Sequence, residues 1–587
     1  MAGKGDQKIA GEVSVRIGGE AGQGMSLMSR LLGKTLLRRG FHVFINHDVM
    51  SRIRGGHNFS QVRFGSKPVL CPSGDVDIVV CLDSGTLRLY RDTPGALTIF
   101  DPAETEEVPE GHRFIAVPMS EIAEREGKNA RMANTVASGA LFHLIGLDIE
   151  GYIDILGEAF RDKGEDIIEA NRKCARAGFE YAKENHEIVP PFEDSPREGS
   201  GRMLMTGSEA MALGALASDL RFFSAYPMSP ATPIMEFLAA RQGDFELVVE
   251  QAEDEISAIN MALGASFAGA RAMVATSGGG MALMVEGISL AGMTETPIVI
   301  IDCQRPGPAT GLPTRTEQAD LLFAVHCGHG EFARAVLAPA TAEEAFYMVN
   351  RAHYLAEKYQ IPVFLLGDQF LNDSSWTVED LDLDRLKPAR GGILEEGDAA
   401  ARDPYTYKRY EDNVTGITPR LLPGTGNQVL YADSDEHTEE GHITESAEVR
   451  QAMVDKRLRR ISTLQSELEG PSIYPDSDRK MYVLSWGSTL GAVEEAVELL
   501  RAEDIDIGYI HFREIYPVGR DLFSEEFLED TVLISVEGNA TGQLARLLRM
   551  EAGIEVNARI GRFDGRPFTA MELAESIREK RGEIHGG

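Results

Sequence analysis

Cysteine is scarce and scattered in this sequence. Cys71, Cys81, Cys174, Cys303 and Cys327 are the only five in 587 residues, and no two form a C-x-x-C pair. That pattern argues against an iron–sulfur cluster, a zinc ribbon or a disulfide framework held by this chain alone, and it fits a reducing, cytoplasmic setting. Long apolar runs are missing too. Apolar residues make up 43% of the chain, yet no uninterrupted run reaches the ~20 residues that cross a bilayer, so no membrane span is expected. The opening MAGKGDQKIAGEVSV lacks the apolar core of a signal peptide. Basic residues are in deficit: 58 Lys and Arg against 92 Asp and Glu leave a net charge of −34. Nucleic-acid binding, which needs a basic surface, is thereby disfavoured. The acidic excess reads first as a solubilising surface.

What is present is a chain too long for one core, with strands and helices in alternation. EVSVRIGGE (12–20) reads as a strand entering a glycine turn, and a helix follows from Met25 to Arg39 with Met28, Leu31, Leu32 and Leu36 on its apolar face. FHVFI, VDIVVCL and ALTIFD are further strands. NHEIVPPFEDSPREGSGR (185–202) is the clearest linker. A second α/β unit carries strands ARAMVAT, TPIVIIDC and IPVFLLGD, and a third carries KMYVLSWGS, DIGYIHF and TVLISVE. Between them, residues 386–475 are polar and acidic and close with a basic helix from Val449 to Leu468. Strands alternating with helices imply α/β domains with parallel sheets.

Several motifs carry chemistry beside a structural alternative. GGEAGQG (18–24) lies between strand and helix, where backbone N–H groups can receive an anion. A tight packing turn explains it equally, and Leu27 spoils a dinucleotide fingerprint. SRIRGGHNFSQVRFG sets Arg52, Arg54, His57 and Arg63 about a Gly-Gly turn, suited to a diphosphate or a subunit contact, or to plain surface charge. In YPMSPAT, prolines on both sides fix Ser229, whose hydroxyl can meet a carboxylate at little ordering cost. QAEDEISAI sets Glu253 and Glu255 two apart at the mouth of a helix of small residues, so only one of them faces a site. A carboxylate held there can share a proton with a buried nitrogen heterocycle; a glutamate pair opening a helix is also ordinary. ATSGGGMALMVEGI offers close backbone approach, and CQRPGPATGLPTRTEQAD gathers Arg305, Thr314 and Arg315 at a strand's carboxyl end. DSDEHTEEGH holds His437 and His442 in a spacing that matches no metal site, so no metal ligands are assigned. Cys303 lacks a neighbouring base and reads as packing.

With these motifs in this order, the sequence resembles the 2-oxoacid:ferredoxin oxidoreductases, in the subunit where a γ-type domain is fused ahead of the α-type domains. GGEAGQG and SRIRGG look like the γ domain (10–188). YPMSPAT, the QAEDEISAI stretch and QRPGPATGLPTRTEQADL look like the pyrimidine-binding domain (203–385). SWGST, HFREIYP and VEGNATGQLARLLR look like a transketolase-type C-terminal domain (478–580), after an irregular insertion at 386–475.

The resemblance implies that Glu253 contacts N1′ of thiamine diphosphate, with Tyr226 and Pro227 beside the cofactor. It also implies that Ser229, Arg305 and Thr314 hold the substrate carboxylate. Ser229 replaces a usual threonine. Arg315 is a candidate for a second carboxylate, and Arg52 and Arg54 for coenzyme A or an interface. No Gly-Asp-Gly occurs to hold Mg²⁺ and the diphosphate. The implied thiamine diphosphate, Mg²⁺ and [4Fe–4S] cluster therefore fall mainly to a separate β subunit, in an (αβ)₂ assembly passing electrons to ferredoxin. The implied reaction is the reversible CoA-dependent oxidative decarboxylation of 2-oxoglutarate to succinyl-CoA, as in a reductive TCA cycle. Pyruvate or branched-chain 2-oxoacids stay open as substrates. So does a non-catalytic scaffold for a thiamine enzyme.

Overall fold

The computed structural model describes residues 11–51, 56–93, 95–105, 111, 113–187, 201–387, 390–395, 397, 405, 407–475 and 479–586. Arg52 and Arg54, and most of the linker read at 185–202, lie outside these residues. The chain forms two compact units, one drawn from Met1–Met205 and Ser374–Asp380, the other from Thr206–Asp373 and Leu381–Gly587.

The first unit is built on a sheet whose strands run Phe114–Ala116, Leu97–Phe100, Ile78–Cys81, Glu12–Gly19, Asn58–Gly65, His42–Asp48, Ser375–Val378 and Met203–Thr206. The first four are mutually parallel, as the sequence predicts. Asn58–Gly65 departs from that expectation: it pairs antiparallel with both of its neighbours. The nine residues separating it from the preceding strand are too few for a parallel crossover, which takes a dozen or more. This strand contains Arg63, read from sequence as part of a basic cluster. Arg63 is 4% exposed, pairs with Glu12 at 2.5 Å and donates to the Cys71 carbonyl, so it belongs to the sheet. Helix Met25–Arg38 buries Met28, Leu31, Leu32 and Leu36 as its periodicity requires. It starts at Gly24, whose φ of 79° and close approach to Asn134 leave no room for a side chain. Ser375–Val378 is the chain's return from the second unit's sequence. Trp376 packs edge-on against Phe44, and Thr377 bonds Val43.

The second unit holds two sheets. Seven strands run Glu514–Tyr516, Ala335–Leu337, Pro362–Asp368, Ile298–Gln304, Ala272–Thr276, Phe222–Ala225 and Val248–Gln251, all parallel except the first. Five more run Ser472–Tyr474, Gly508–Phe512, Met481–Trp486, Val532–Glu537 and Ala558–Gly561. Val274 and Phe364 of one sheet share a core with Trp486, Phe512 and Leu533 of the other. The central strands are buried along their whole length, which is why they read as continuous apolar runs.

Helix Ala447–Glu467 belongs to the insertion read at 386–475 and starts at Ser446, whose hydroxyl caps it. It anchors through Lys456 and Arg460, both of which bond the buried carboxylate of Glu295. His437, weighed as a metal ligand, is fully enclosed. Its ring nitrogens face the carbonyls of Thr438 and Met293.

Candidate active site

In the seven-stranded sheet, Phe222–Ala225 connects to Val248–Gln251 on one side, and the chain then crosses to Ala272–Thr276 on the other. Such a reversal opens a crevice at the carboxyl ends of parallel strands, the usual ligand position in open α/β sheets. Four adjacent strands end there. Their following segments are Tyr226–Thr232, Ala252–Glu255, Ser277–Gly280 and the long loop from Arg305 to Asp320, so the topology gathers four of the motifs read from sequence.

The glutamate pair is divided by the start of helix Glu255–Phe267. Asp254 caps it, its carboxylate accepting from the Ser257 N–H at 2.7 Å. Glu253 precedes the cap and is exposed, whereas Glu255 is the first helical residue and 3% exposed. The sequence reading gave the site to Glu253 and left Glu255 to the helix; of the pair, the buried one is Glu255. The reason is periodicity: Glu255, Ala258, Ile259 and Ala262 form the helix's buried stripe, spaced i, i+3, i+4 and i+7. That stripe was visible in EISAINMA; a charged residue at its head conceals it. Glu255 Oε1 is buried and accepts no hydrogen bond among the described residues. The orphaned acceptor is costly in a folded protein unless a donor arrives.

The glycine turn supports this placement. A Cβ on Gly280 would come within 2.8 Å of Glu255 Oε1 and collide with the Thr276 hydroxyl, and one on Gly278 would strike the Asp320 carboxylate. Ser277 donates to Met228 Sδ at 2.8 Å, joining the glycine turn to YPMSPAT. Sequence reasoning named neither Met228 nor Ser277 as partners.

Arg305 donates from Nη1 to the Ser229 carbonyl at 2.7 Å, which brings two of the expected carboxylate-binding residues together. Ser229 is exposed and precedes a cis proline. Burial lowers the Arg305 pKa from its ordinary value. Tyr226 is 42% exposed; Pro227, Thr314 and Arg315 are half-buried. Arg315 lies farther along the loop, its Cβ and Cγ against Gly565. Beneath the crevice, Asp302 and Asp320 are both shifted up, chiefly by burial: the charge of Asp320 adds to the rise of Asp302, and that of Glu317 to the rise of Asp320, which reaches about 6. Cys303 is wholly buried and its thiol is pushed well up, also by burial, which fits the packing role read from sequence.

With this geometry in place, comparison with known proteins is informative. Residues 213–456 match the family described as pyruvate flavodoxin/ferredoxin oxidoreductase, thiamine diP-bdg, and residues 14–181 match pyruvate ferredoxin/flavodoxin oxidoreductase. The 2-oxoacid:ferredoxin oxidoreductase subunit alpha of Sulfolobus sp is 32% identical, over 97% of this chain and 98% of its own length. The 2-oxoglutarate oxidoreductase subunit KorA of Mycobacterium tuberculosis is 31% identical, over 78% of this chain and 69% of its own. A solved structure of the 2-oxoglutarate:ferredoxin oxidoreductase from Magnetococcus marinus, with 2-oxoglutarate, coenzyme A and succinyl-CoA bound, is similar with a TM-score of 0.90. It is 31% identical and covers 97% of this chain and 99% of that one.

Proposed function

The chain belongs to the 2-oxoacid:ferredoxin oxidoreductases as an α subunit, and from that premise we propose that it supplies half of an active site for 2-oxoglutarate. The reaction joins 2-oxoglutarate and CoA to give succinyl-CoA and CO₂, and passes two electrons to two ferredoxins. The Magnetococcus marinus enzyme, similar over nearly the full length and solved with these ligands, supports the substrate choice.

The observation that carries the reading is Glu255, a buried carboxylate whose Oε1 lacks a donor at the carboxyl end of a parallel sheet. It fits thiamine diphosphate, whose aminopyrimidine brings a nitrogen able to share that proton; when bound, the cofactor supplies the nucleophilic carbon and electron sink for decarboxylation. Glu255 holds or releases the proton at its Oε1, and we assign it this role in place of Glu253. Tyr226 and Pro227 flank the crevice. Arg305 with Ser229 and Thr314 grips the C1 carboxylate until CO₂ departs, the guanidinium fork supplying charge and direction. Arg315, farther along the same loop, meets the second carboxylate.

In this reading the diphosphate with Mg²⁺, and the [4Fe–4S] cluster, fall mainly to a β subunit: the sequence has no Gly-Asp-Gly element and no suitably spaced cysteines. Large apolar side chains stand exposed around the crevice: Tyr226, Ile256, Leu283 and Leu312 at 42%, 48%, 50% and 48%. A face of that kind suits burial by a partner. The reading places the complex in the cytoplasm as (αβ)₂.

The test is CoA-dependent viologen reduction by the chain alone and by its native complex, with 2-oxoglutarate, pyruvate and branched-chain 2-oxoacids. Activity in the complex, highest with 2-oxoglutarate and absent from the isolated chain, is the expected result. An active isolated chain, or a complex that prefers pyruvate, would refute the corresponding part.

A further inference from the structure

The loop that carries Arg305, Thr314 and Arg315 is held at both ends in different ways. At its base, Gln304 closes the loop on itself: Oε1 accepts from the Asp320 N–H at 3.0 Å, while Nε2 donates to the Gly367 carbonyl at 3.0 Å. Farther along, the loop leaves its own sheet and is tied to the five-stranded one. Gln318 is 2% exposed, and all four of its polar groups are bonded there. Its backbone N–H donates to the Gly538 carbonyl at 2.6 Å, and its Oε1 accepts from the Gly538 N–H at 2.8 Å. Its Nε2 donates to the Trp486 carbonyl at 2.9 Å, and its own carbonyl accepts from Asn539 Nδ2 at 3.0 Å.

The receiving surface is shaped for this side chain. Gly487 has a φ of 56°, and a Cβ there would lie 3.1 Å from Gln318 Nε2; one on Gly538 would lie 3.1 Å from Cγ. Neighbouring bonds continue the seam. Gln543 accepts from the Leu322 N–H at 2.8 Å and donates to the Ala319 carbonyl at 2.6 Å. Asn539 is fixed in turn by Glu537, whose carboxylate also receives the Leu544 and Ala545 N–H groups in the first turn of helix Gln543–Ala552.

We infer that Gln318 is a positioning residue for substrate: it clamps the far half of the carboxylate-binding loop to the five-stranded sheet and thereby sets where Thr314 and Arg315 stand. The inference rests on the substrate role proposed for that loop. Gln318 is buried and acts through the backbone on either side of it. A buried amide bonded through both its oxygen and its nitrogen has one orientation, and losing either partner strands a polar group. Register is therefore transmitted from the strand ends at Trp486 and Glu537 to loop residues three and four positions upstream. The C-terminal sheet thus contributes to substrate grip without touching substrate.

The test is steady-state kinetics of the native complex carrying Gln318→Ala, with 2-oxoacid and CoA varied separately. Displacing a binding group by about an ångström is costly, so the 2-oxoacid KM should rise on the order of tenfold or more, with a smaller fall in kcat. The CoA KM should not move. Gln318→Glu supplies a second reading at nearly constant shape. Its carboxylate would set an acceptor against the Trp486 carbonyl, whereas its protonated form can donate. Its 2-oxoacid KM should therefore approach the wild-type value as pH is lowered. A lower kcat with both KM values unchanged would mean that Gln318 only stabilises the fold, and would overturn the inference. If Gln318→Ala does not assemble, a pH-independent KM for Gln318→Glu would overturn it. Wild-type complex with no 2-oxoacid activity would bring down the functional reading and the clamp together. An active wild type with an unmoved variant KM would bring down the clamp alone.

Discussion

Asp302 lies within the buried strand Ile298–Gln304 with neither carboxylate oxygen hydrogen-bonded among the described residues, and burial followed by the nearby charge of Asp320 raises its pKa well above normal. Below about pH 4 such a group is protonated in both folded and unfolded chains and has no effect on stability. Above that, the unfolded chain releases the proton while the folded one keeps it. Stability is therefore lost as pH rises, until the folded carboxyl ionises as well. Asp302→Asn removes this penalty. Its thermal midpoint should exceed wild type by more at pH 8 than at pH 5, measured by calorimetry; an equal difference at both pH values would refute the assignment. The same burial logic separates Glu255 from Glu253. The helix stripe pointing to Glu255 stands in the sequence, but which carboxylate lies inside depends on where Asp254 caps the helix. That boundary is the feature a sequence reading locates least well.

Among elements, the helix Ala447–Glu467 depends on charge more than on apolar area. Burial by itself would push the Glu295 carboxyl up, but Arg460, Lys456 and Arg409 beside it hold it well below the usual range. Lys456, wholly enclosed, is brought down to about 8, chiefly by burial, with Glu295 opposing. Removing the single carboxylate leaves Lys456 and Arg460 buried without their countercharge, so Glu295→Gln should cost about 3–5 kcal/mol in urea unfolding. A loss below about 1 kcal/mol, the size of an exposed ion pair, would show that the network contributes little.

How legible each element was follows from where its partners are. Strands such as Ile298–Gln304 are buried on both faces and announce themselves as apolar runs. Asn58–Gly65 was hidden because Gln61 and Arg63 sit inside it, satisfied by Ser14, Ser73, Glu12 and Cys71. Ser375–Val378 was hidden for another reason: its partner strand lies over 300 positions earlier, and no local pattern encodes that pairing. The loop from Arg305 to Asp320 was legible as a Pro/Gly loop at a strand's carboxyl end, but its attachment to the five-stranded sheet was not. Gln318 in isolation looks like an ordinary polar residue.

The whole molecule is most simply understood as incomplete. In the proposed reading Glu255 is the proton partner and Arg305, Ser229 and Thr314 are the carboxylate-binding groups, while the sequence shows no Gly-Asp-Gly element and no C-x-x-C pair. No described helix is long and apolar enough to cross a membrane; in the proposed reading the β subunit covers the exposed apolar groups about the crevice. Binding that covers them stabilises the folded state by mass action. The chain's thermal midpoint should therefore rise in the complex and depend on partner concentration. No shift on adding partner would argue against that face as the contact.

The central claim is that Glu255, and not the exposed Glu253, serves the reaction. Its most direct test is 2-oxoglutarate- and CoA-dependent viologen reduction by native complexes bearing Glu255→Gln or Glu253→Gln. A positioned proton-transfer group contributes about 10²–10⁴-fold, so Glu255→Gln should lose at least that order of turnover with assembly intact. Glu253→Gln should stay within a few-fold of wild type. Loss of turnover in Glu253→Gln with Glu255→Gln near normal would contradict the account.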